Sequence, residues 1–281
     1  EGETLMFDCG EGTQRQMMRY GISFALSRIF FTHMHADHML GVIGLCRTLA
    51  LGGRTEPMHL FGPPGSDDLL RRAIRLGTEK QPFAIEVTEI KPGDAIEHEH
   101  YALQTFPVDH AGKSAMGYAL AEKGPLARFY PDAARALGIP EGPMWGALHR
   151  GKPVTLPDGR VITAESLVGP SRPGRRVVIT GDSRPCEATI NAAQDADLLV
   201  HEATFSDEEA PRALETGHST AREAAEVAAK AGAKKLLLTH FSARYTRDAT
   251  ELQAEARAVF PETYIARDGL ELDIAFGDQA G

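Results

Sequence analysis

Apolar residues in this chain fall into short runs rich in β-branched and aromatic side chains. Each run is closed by a polar cluster and followed by residues at helical spacing. Thr4–Phe7 reads as a strand, Arg28–Thr32 as a buried strand, and residues 38–51 as a helix. Arg176–Thr180, Asp197–Val200 and Lys235–Thr239 predict three further strands, which run into Gly181-Asp182-Ser183, His201-Glu202 and His240. Residues 219–231 predict an Ala/Glu/Arg helix capped by Ser219 or Thr220. Strands alternating with helices predict an α/β architecture with much parallel sheet. Ligands in open α/β sheets collect beyond the carboxyl ends of strands, so these polar clusters are expected to converge on one site.

The middle of the chain departs from this grammar. Between Lys123 and Pro173 lie eight of the seventeen prolines: Pro125, Pro131, Pro140, Pro143, Pro153, Pro157, Pro170 and Pro173. Proline at that density breaks regular elements, which predicts an inserted flexible arm, 123–173, within a single domain spanning 1–281. Charge is also unevenly spread. The chain carries −9 overall, yet Leu148–Arg176 holds Arg150, Lys152, Arg160, Arg172, Arg175 and Arg176 against only Asp158 and Glu165. Overall acidity argues weakly against nucleic acid, whereas a local excess of that kind is a candidate phosphate-binding face.

Composition otherwise describes an ordinary globular chain, 42% hydrophobic and 25% charged. No apolar run approaches the roughly 20 residues that cross a bilayer, and no secretory leader is visible. Cys9, Cys46 and Cys186 are odd in number and form no CxxC pair, so core packing in a reducing cytoplasm is expected rather than a disulfide framework.

Eleven histidines matter for where they sit. Thr32-His33-Met-His35-Ala-Asp37-His38 places four donors in six positions directly after a buried strand. Residues 33, 35 and 37 are expected on one side of an extended loop, with His38 opening the next helix. Imidazole and carboxylate donors of this kind suit zinc. Asp109-His110, Gly181-Asp182-Ser183 and Thr239-His240 supply further donors downstream, enough for two metals with open positions. His59, His98 and His100 have no supporting pattern, and His201 reads as structural.

The spacing His-x-His-x-Asp-His followed by separate His, Asp and His resembles the metallo-β-lactamase fold superfamily. Within it, the chain resembles the ribonuclease Z family of endonucleases that mature tRNA 3′ ends. The resemblance rests on Phe7-Asp-Cys-Gly-Glu-Gly-Thr-Gln-Arg-Gln16, Phe31–Gly41, Val108-Asp-His-Ala-Gly112, Gly181-Asp-Ser-Arg184, His201-Glu-Ala-Thr204, Gly217-His-Ser-Thr220 and Leu238-Thr-His-Phe-Ser242. It implies a four-layer αββα sandwich. It also implies that His33, His35 and His110 hold one Zn²⁺, that Asp37, His38 and His240 hold a second, and that Asp182 bridges them. The family's first glycine-rich strand and loop are expected ahead of Glu1.

The implied reaction is attack of a metal-activated hydroxide on a precursor tRNA phosphodiester, leaving a 3′-hydroxyl on the tRNA and a 5′-phosphate on the trailer. Asp37 is the candidate proton acceptor, His218 the candidate acid for the leaving oxygen, and Glu202 its partner. The arm resembles the exosite arm of bacterial ribonuclease Z, with Arg150, Lys152 and Arg160 as phosphate contacts. Trp145 is expected to pack rather than stack on a base. A homodimer in which one subunit's arm serves the other's site is implied by the same resemblance. The alternative is another dizinc hydrolase of this fold, acting on small phosphodiesters or sulfate esters.

Overall fold

A computed structural model describes residues 3–78, 80–124, 127–169, 173–245 and 247–276. The chain divides into two compact units, Glu1–Ala121 with Arg176–Ile274, and Glu122–Arg175 with Ala275–Gly281.

In the larger unit β1 (Thr4–Phe7), β2 (Leu26–Phe30), β3 (Met58–Gly62) and β4 (Ile85–Glu89) form one sheet in that order, all parallel. The second sheet takes β5 (Ala95–Glu97), β6 (Tyr101–Pro107) and β7 (Met116–Glu122). After the two short strands of the smaller unit, β8 (Val154–Thr155) and β9 (Val161–Ile162), it takes β10 (Arg176–Ile179), β11 (Leu198–Glu202), β12 (Leu236–Thr239) and β13 (Thr263–Ile265). Its order is β13-β12-β11-β10-β7-β6-β5, with β10 to β13 parallel and β7 antiparallel to β10.

Strand alternation explains the layering. On the first sheet Ile29 and Leu60 face Val42, Leu45 and Leu70 of two helices, Gly41–Leu51 and Ser66–Arg75. Their neighbours Phe30 and Phe61 stack at 4.9 Å on the opposite face, where Phe30 is buried with Tyr101, Leu103, Met116 and Tyr118 of the second sheet. That sheet's outer face buries Val178, Leu199, Leu236 and Leu238 under Ala221, Ala224, Ala225 and Ala228 of the helix Ala221–Ala231. Three apolar layers therefore separate four layers of secondary structure, the αββα sandwich. Thr220 caps that last helix in a reciprocal box with Glu223.

Three expectations shift. The strand read as ending at Val200 continues through Glu202, because β12 offers pairing partners to His201 and Glu202 at Leu238 and Thr239. The helix read from His38 starts earlier, at Ala36, and pauses at Leu40 before resuming at Gly41. Gly41 cannot be larger: a Cβ there would stand 1.8 Å from the Gly10 carbonyl oxygen, so the loop after β1 lies directly on this helix. The smaller unit, read as irregular, has its own buried cluster of Ala134, Ile139, Leu148, Leu156 and Leu167. Its prolines do not all break structure, since Pro131 and Pro143 start the helices Pro131–Ala136 and Pro143–His149, where a missing N–H costs nothing. Trp145 packs on Phe129 and donates from Nε1 to the Ile139 carbonyl at 3.1 Å. Pro125, Pro170 and Arg172 lie outside the described residues.

Cys9 and Cys46 are buried, and burial pushes their thiols up to about 12 and about 11. Among the described residues no helix is long and apolar enough to cross a membrane.

Candidate metal centre

The carboxyl ends of β2, β10, β11 and β12 bring the polar clusters together. Donor atoms of His33, His35, His110 and Asp182 all lie within 4.8 Å of one another, and so do those of Asp37, His38 and His240. Asp182, 2% exposed, stands between the two groups. Its Oδ2 is 3.6 Å from His33 Nε2 and 3.9 Å from His110 Nε2. Its Oδ1 is 3.3 Å from His38 Nε2 and 3.4 Å from His240 Nε2. One carboxylate thus presents one oxygen to each set.

The rings are held from behind. His38 Nδ1 donates to Asp8 Oδ2 at 2.8 Å, and His110 Nδ1 to the Gly217 carbonyl at 2.9 Å. His33 Nδ1 faces Thr32 Oγ1 at 3.1 Å, and that hydroxyl donates to Asp8 Oδ2 at 2.8 Å. His240 Nδ1 faces Thr204 Oγ1 at 2.9 Å, while the same hydroxyl donates to Glu202 Oε2 at 2.6 Å. Anchoring Nδ1 fixes the tautomer and aims Nε2 into the cluster. His35 is the exception, with Nδ1 turned inward, 3.4 Å from His110 Nε2.

Whether these residues fit a metal is answered by what they leave unmet. His33 Nε2, His38 Nε2 and Asp182 Oδ1 are buried without a hydrogen-bond partner. Each such atom costs about 1–3 kcal/mol in an apolar setting. Three of them turned into one space, with mixed nitrogen and oxygen chemistry, fit divalent cations of the zinc type.

Electrostatics agree. Burial opposes ionisation of Asp182, but His38, His240 and His33 hold its carboxyl well below the usual range. His240, through a hydrogen bond at 3.3 Å, and then His38 do the same for Asp37. Burial, reinforced by His38, pushes His33 down to about 3, and burial also lowers His35 and His110. At His38 burial is outweighed by the adjacent carboxylates of Asp182 and Asp8, which carry it up to about 10. At His240 Asp37 and Asp182 outweigh burial in the same sense.

His218 has another environment. Its Nδ1 is 2.8 Å from Glu202 Oε1, and Glu202 is fully buried. By distance His218 also groups with Asp182 and His240, but its Nδ1 is 3.8 Å from Asp182 Oδ2 and already given to Glu202. The hydrogen bond is the better guide, so His218 stands beside the donor set with its Nε2 edge available. Glu202 has both oxygens occupied: Oε1 also accepts from Ser183 N at 3.0 Å, and Oε2 from the Thr204 amide and hydroxyl. A cavity of about 300 Å³ opens beside His38, Asp182 and His240, walled by Phe7, Ile179 and Val200.

Asp37 corrects the expected loop geometry. It sits in the first turn of the helix Ala36–Met39, with His35 as its N-cap, and its side chain is 66% exposed. A helical turn, not strand alternation, aims it at His240. His201 is wholly buried, and burial lowers it; its Nδ1 bonds to the Glu202 carbonyl. His59 pairs with Glu86, away from the donor set.

Arg150, Lys152 and Arg160 belong to the smaller unit. Arg160 is committed to Asp158 at 2.7 Å and Arg175 to Glu122 at 2.6 Å, so the basic excess read along 148–176 is partly neutralised in place.

Asp8, Thr32 and Thr204 carry no signal of their role in the sequence. Asp8 is the most informative of the three. It takes φ 56°, where Asp is one of the few tolerated side chains, and its Oδ1 also accepts from Thr32 N at 2.7 Å.

Residues 3–172 and 166–241 match the family model for the beta-lactamase superfamily domain. The chain is 60% identical over 280 residues to a ribonuclease Z of Gemmatimonas aurantiaca, covering 99% of this chain and 89% of that protein. It is 52% identical to a ribonuclease Z of Myxococcus xanthus, covering 98% and 90%. The crystal structure of the short form of human tRNase Z superposes with a TM-score of 0.67 at 26% identity, covering 98% of this chain and 90% of that one.

Proposed function

The chain belongs to the ribonuclease Z family of the β-lactamase superfamily, and from that premise we propose that it is a zinc-dependent endoribonuclease removing 3′ trailers from precursor tRNA. The observation that carries the chemistry is Asp182, whose two oxygens face two separate donor sets.

In this reading His33, His35 and His110 would hold one zinc ion and Asp37, His38 and His240 a second, with Asp182 shared between the two sets. When bound, such a pair supplies Lewis-acid activation of water and a clamp on the scissile phosphate. Asp37, open to solvent, takes the proton of the attacking water. His218, fixed by Glu202 through Nδ1, delivers a proton from Nε2 to the departing ribose 3′-oxygen.

Loading the metal-free protein should release protons. His38, carried up to about 10, holds a proton near pH 7.5 and must lose it before Nε2 ligates; His240 is raised in the same direction by Asp37 and Asp182, and His33, at about 3, has none to give. About one to two protons per chain are expected, with affinity rising as pH rises. Calorimetry in buffers of different ionisation enthalpy reads this number directly, and a value of zero would mean that His38 is not a ligand.

The smaller unit carries the tRNA contacts in this reading and none of the donors. Replacing Arg150, Lys152 and Arg160 together should raise KM for precursor tRNA and flatten the salt dependence by roughly one log–log unit for each phosphate no longer neutralised. Turnover of a chromogenic phosphodiester should be unchanged. Full retention of tRNA cleavage would instead favour an enzyme for small esters.

A further inference from the structure

One partly buried cation beside the centre has no task in the reading above. Arg184 lies two residues beyond Asp182, and its guanidinium makes three donations. Nη1 reaches the His218 backbone carbonyl at 2.7 Å and Glu223 Oε2 at 2.6 Å, and Nη2 reaches Glu223 Oε1 at 2.6 Å. The pair is only 17% and 25% exposed. Glu223 Oε2 accepts from Thr220 N as well, at 2.9 Å. The Arg184 amide donates to the Asp109 carbonyl at 2.7 Å, tying this turn to the loop that carries His110.

Two other bonds join the same pair of segments. Ser219 Oγ donates to the Ser183 carbonyl at 2.5 Å, and Ser183 N shares Glu202 Oε1 with His218. His218 therefore sits in a loop fastened to the Asp182 turn through its own carbonyl and through Ser219, while His110 Nδ1 holds the Gly217 carbonyl on the other side of its Cα. Gly217, just before it, has φ 77°, and a Cβ there would meet the Ala111 amide at 2.8 Å, so the loop has little room to shift. The bidentate Arg–carboxylate fork fixes direction as well as distance, and it leaves a further N–H aimed at the carbonyl of the residue whose ring does the work.

We infer that Arg184, clamped by Glu223, is a positioning residue for His218, setting where the His218 imidazole stands relative to Asp182. The inference rests on the reading of His218 as proton donor. Lysine offers a single point charge and cannot make the fork and the carbonyl bond together, so Arg184→Lys should fall between wild type and Arg184→Ala.

The test is a double-mutant cycle on two substrates. Arg184→Ala, Arg184→Lys and Glu223→Gln are made alone and in a His218→Ala background. Each is assayed on precursor tRNA and on bis(p-nitrophenyl) phosphate, whose leaving group needs no proton, with metal content and melting temperature recorded. Arg184→Ala should lower kcat for precursor tRNA by about 10–100-fold, the range typical of an outer partner. Metal content and nitrophenyl turnover should stay at the wild-type level. In the His218→Ala background it should cost nothing further, since residues acting as one unit are not additive. The same fold-loss in both backgrounds, or equal loss on both substrates, would overturn the inference. If Arg184→Ala does not fold, Arg184→Lys and Glu223→Gln carry the same cycle. Were His218→Ala itself to damage both substrates equally, the proton-donor reading would fall and this inference with it. Discrimination by His218→Ala but not by the Arg184 variants would remove the positioning role alone.

Discussion

Asp182→Asn should abolish cleavage of precursor tRNA and strip the protein of its metal. The aspartate gives Oδ2 to the set of His33 and His110, and Oδ1 to the set of His38 and His240. Asparagine keeps one oxygen and turns an NH₂ donor toward imidazole nitrogens that need to face a cation. It also deletes a buried negative charge that neighbouring histidines hold firmly ionised. Losing an outer partner of a metal ligand costs roughly 10–100-fold, and losing the shared inner carboxylate should exceed that. Elemental analysis of gel-filtered protein, paired with a melting curve, checks it. Two retained ions in an active Asn variant would show that the two sets do not depend on Asp182.

His218→Ala should lower precursor tRNA cleavage by about 10²–10⁴-fold while the metal stays bound. The imidazole lies against the donor set without belonging to it, since its Nδ1 is committed to Glu202. A nitrophenyl phosphodiester, whose leaving group departs without a proton, should be cleaved nearly as well by the variant as by the wild type. Glu202→Gln should reproduce part of the defect, because the amide oxygen can still accept from His218 Nδ1 but as a weaker, uncharged partner. Equal losses on both substrates would assign His218 to binding or structure.

How much of this is legible in the chain depends on how each residue acts. His33, His35, Asp37 and His38 are readable because four donors crowd into six positions after a strand, and no packing requirement explains that. Asp182 and His240 are readable because each follows a buried apolar run. Asp8 is not. It acts through Thr32 and His38, more than twenty positions away in the chain, and through a left-handed backbone that no composition pattern marks. Thr204 is hidden because its hydroxyl joins Glu202, at the end of the strand just before it, to His240, 36 positions on and beyond the neighbouring strand β12. The unit around Leu148 reads as irregular when proline is weighed as a breaker at every position. At Pro131 and Pro143 it starts a helix instead. The extension of β11 to Glu202 comes from its parallel neighbour β12, a partner that sequence alone does not place beside it.

The most direct test of the central claim is to incubate the purified, zinc-loaded protein with a 3′-extended tRNA and map both product ends. The expected result is a single cut after the discriminator base, leaving a 3′-hydroxyl on the tRNA and a 5′-phosphate on the trailer, and no cut after chelation. Trimming of the trailer one nucleotide at a time, a cyclic phosphate on the tRNA, or full activity in the chelated protein would contradict it.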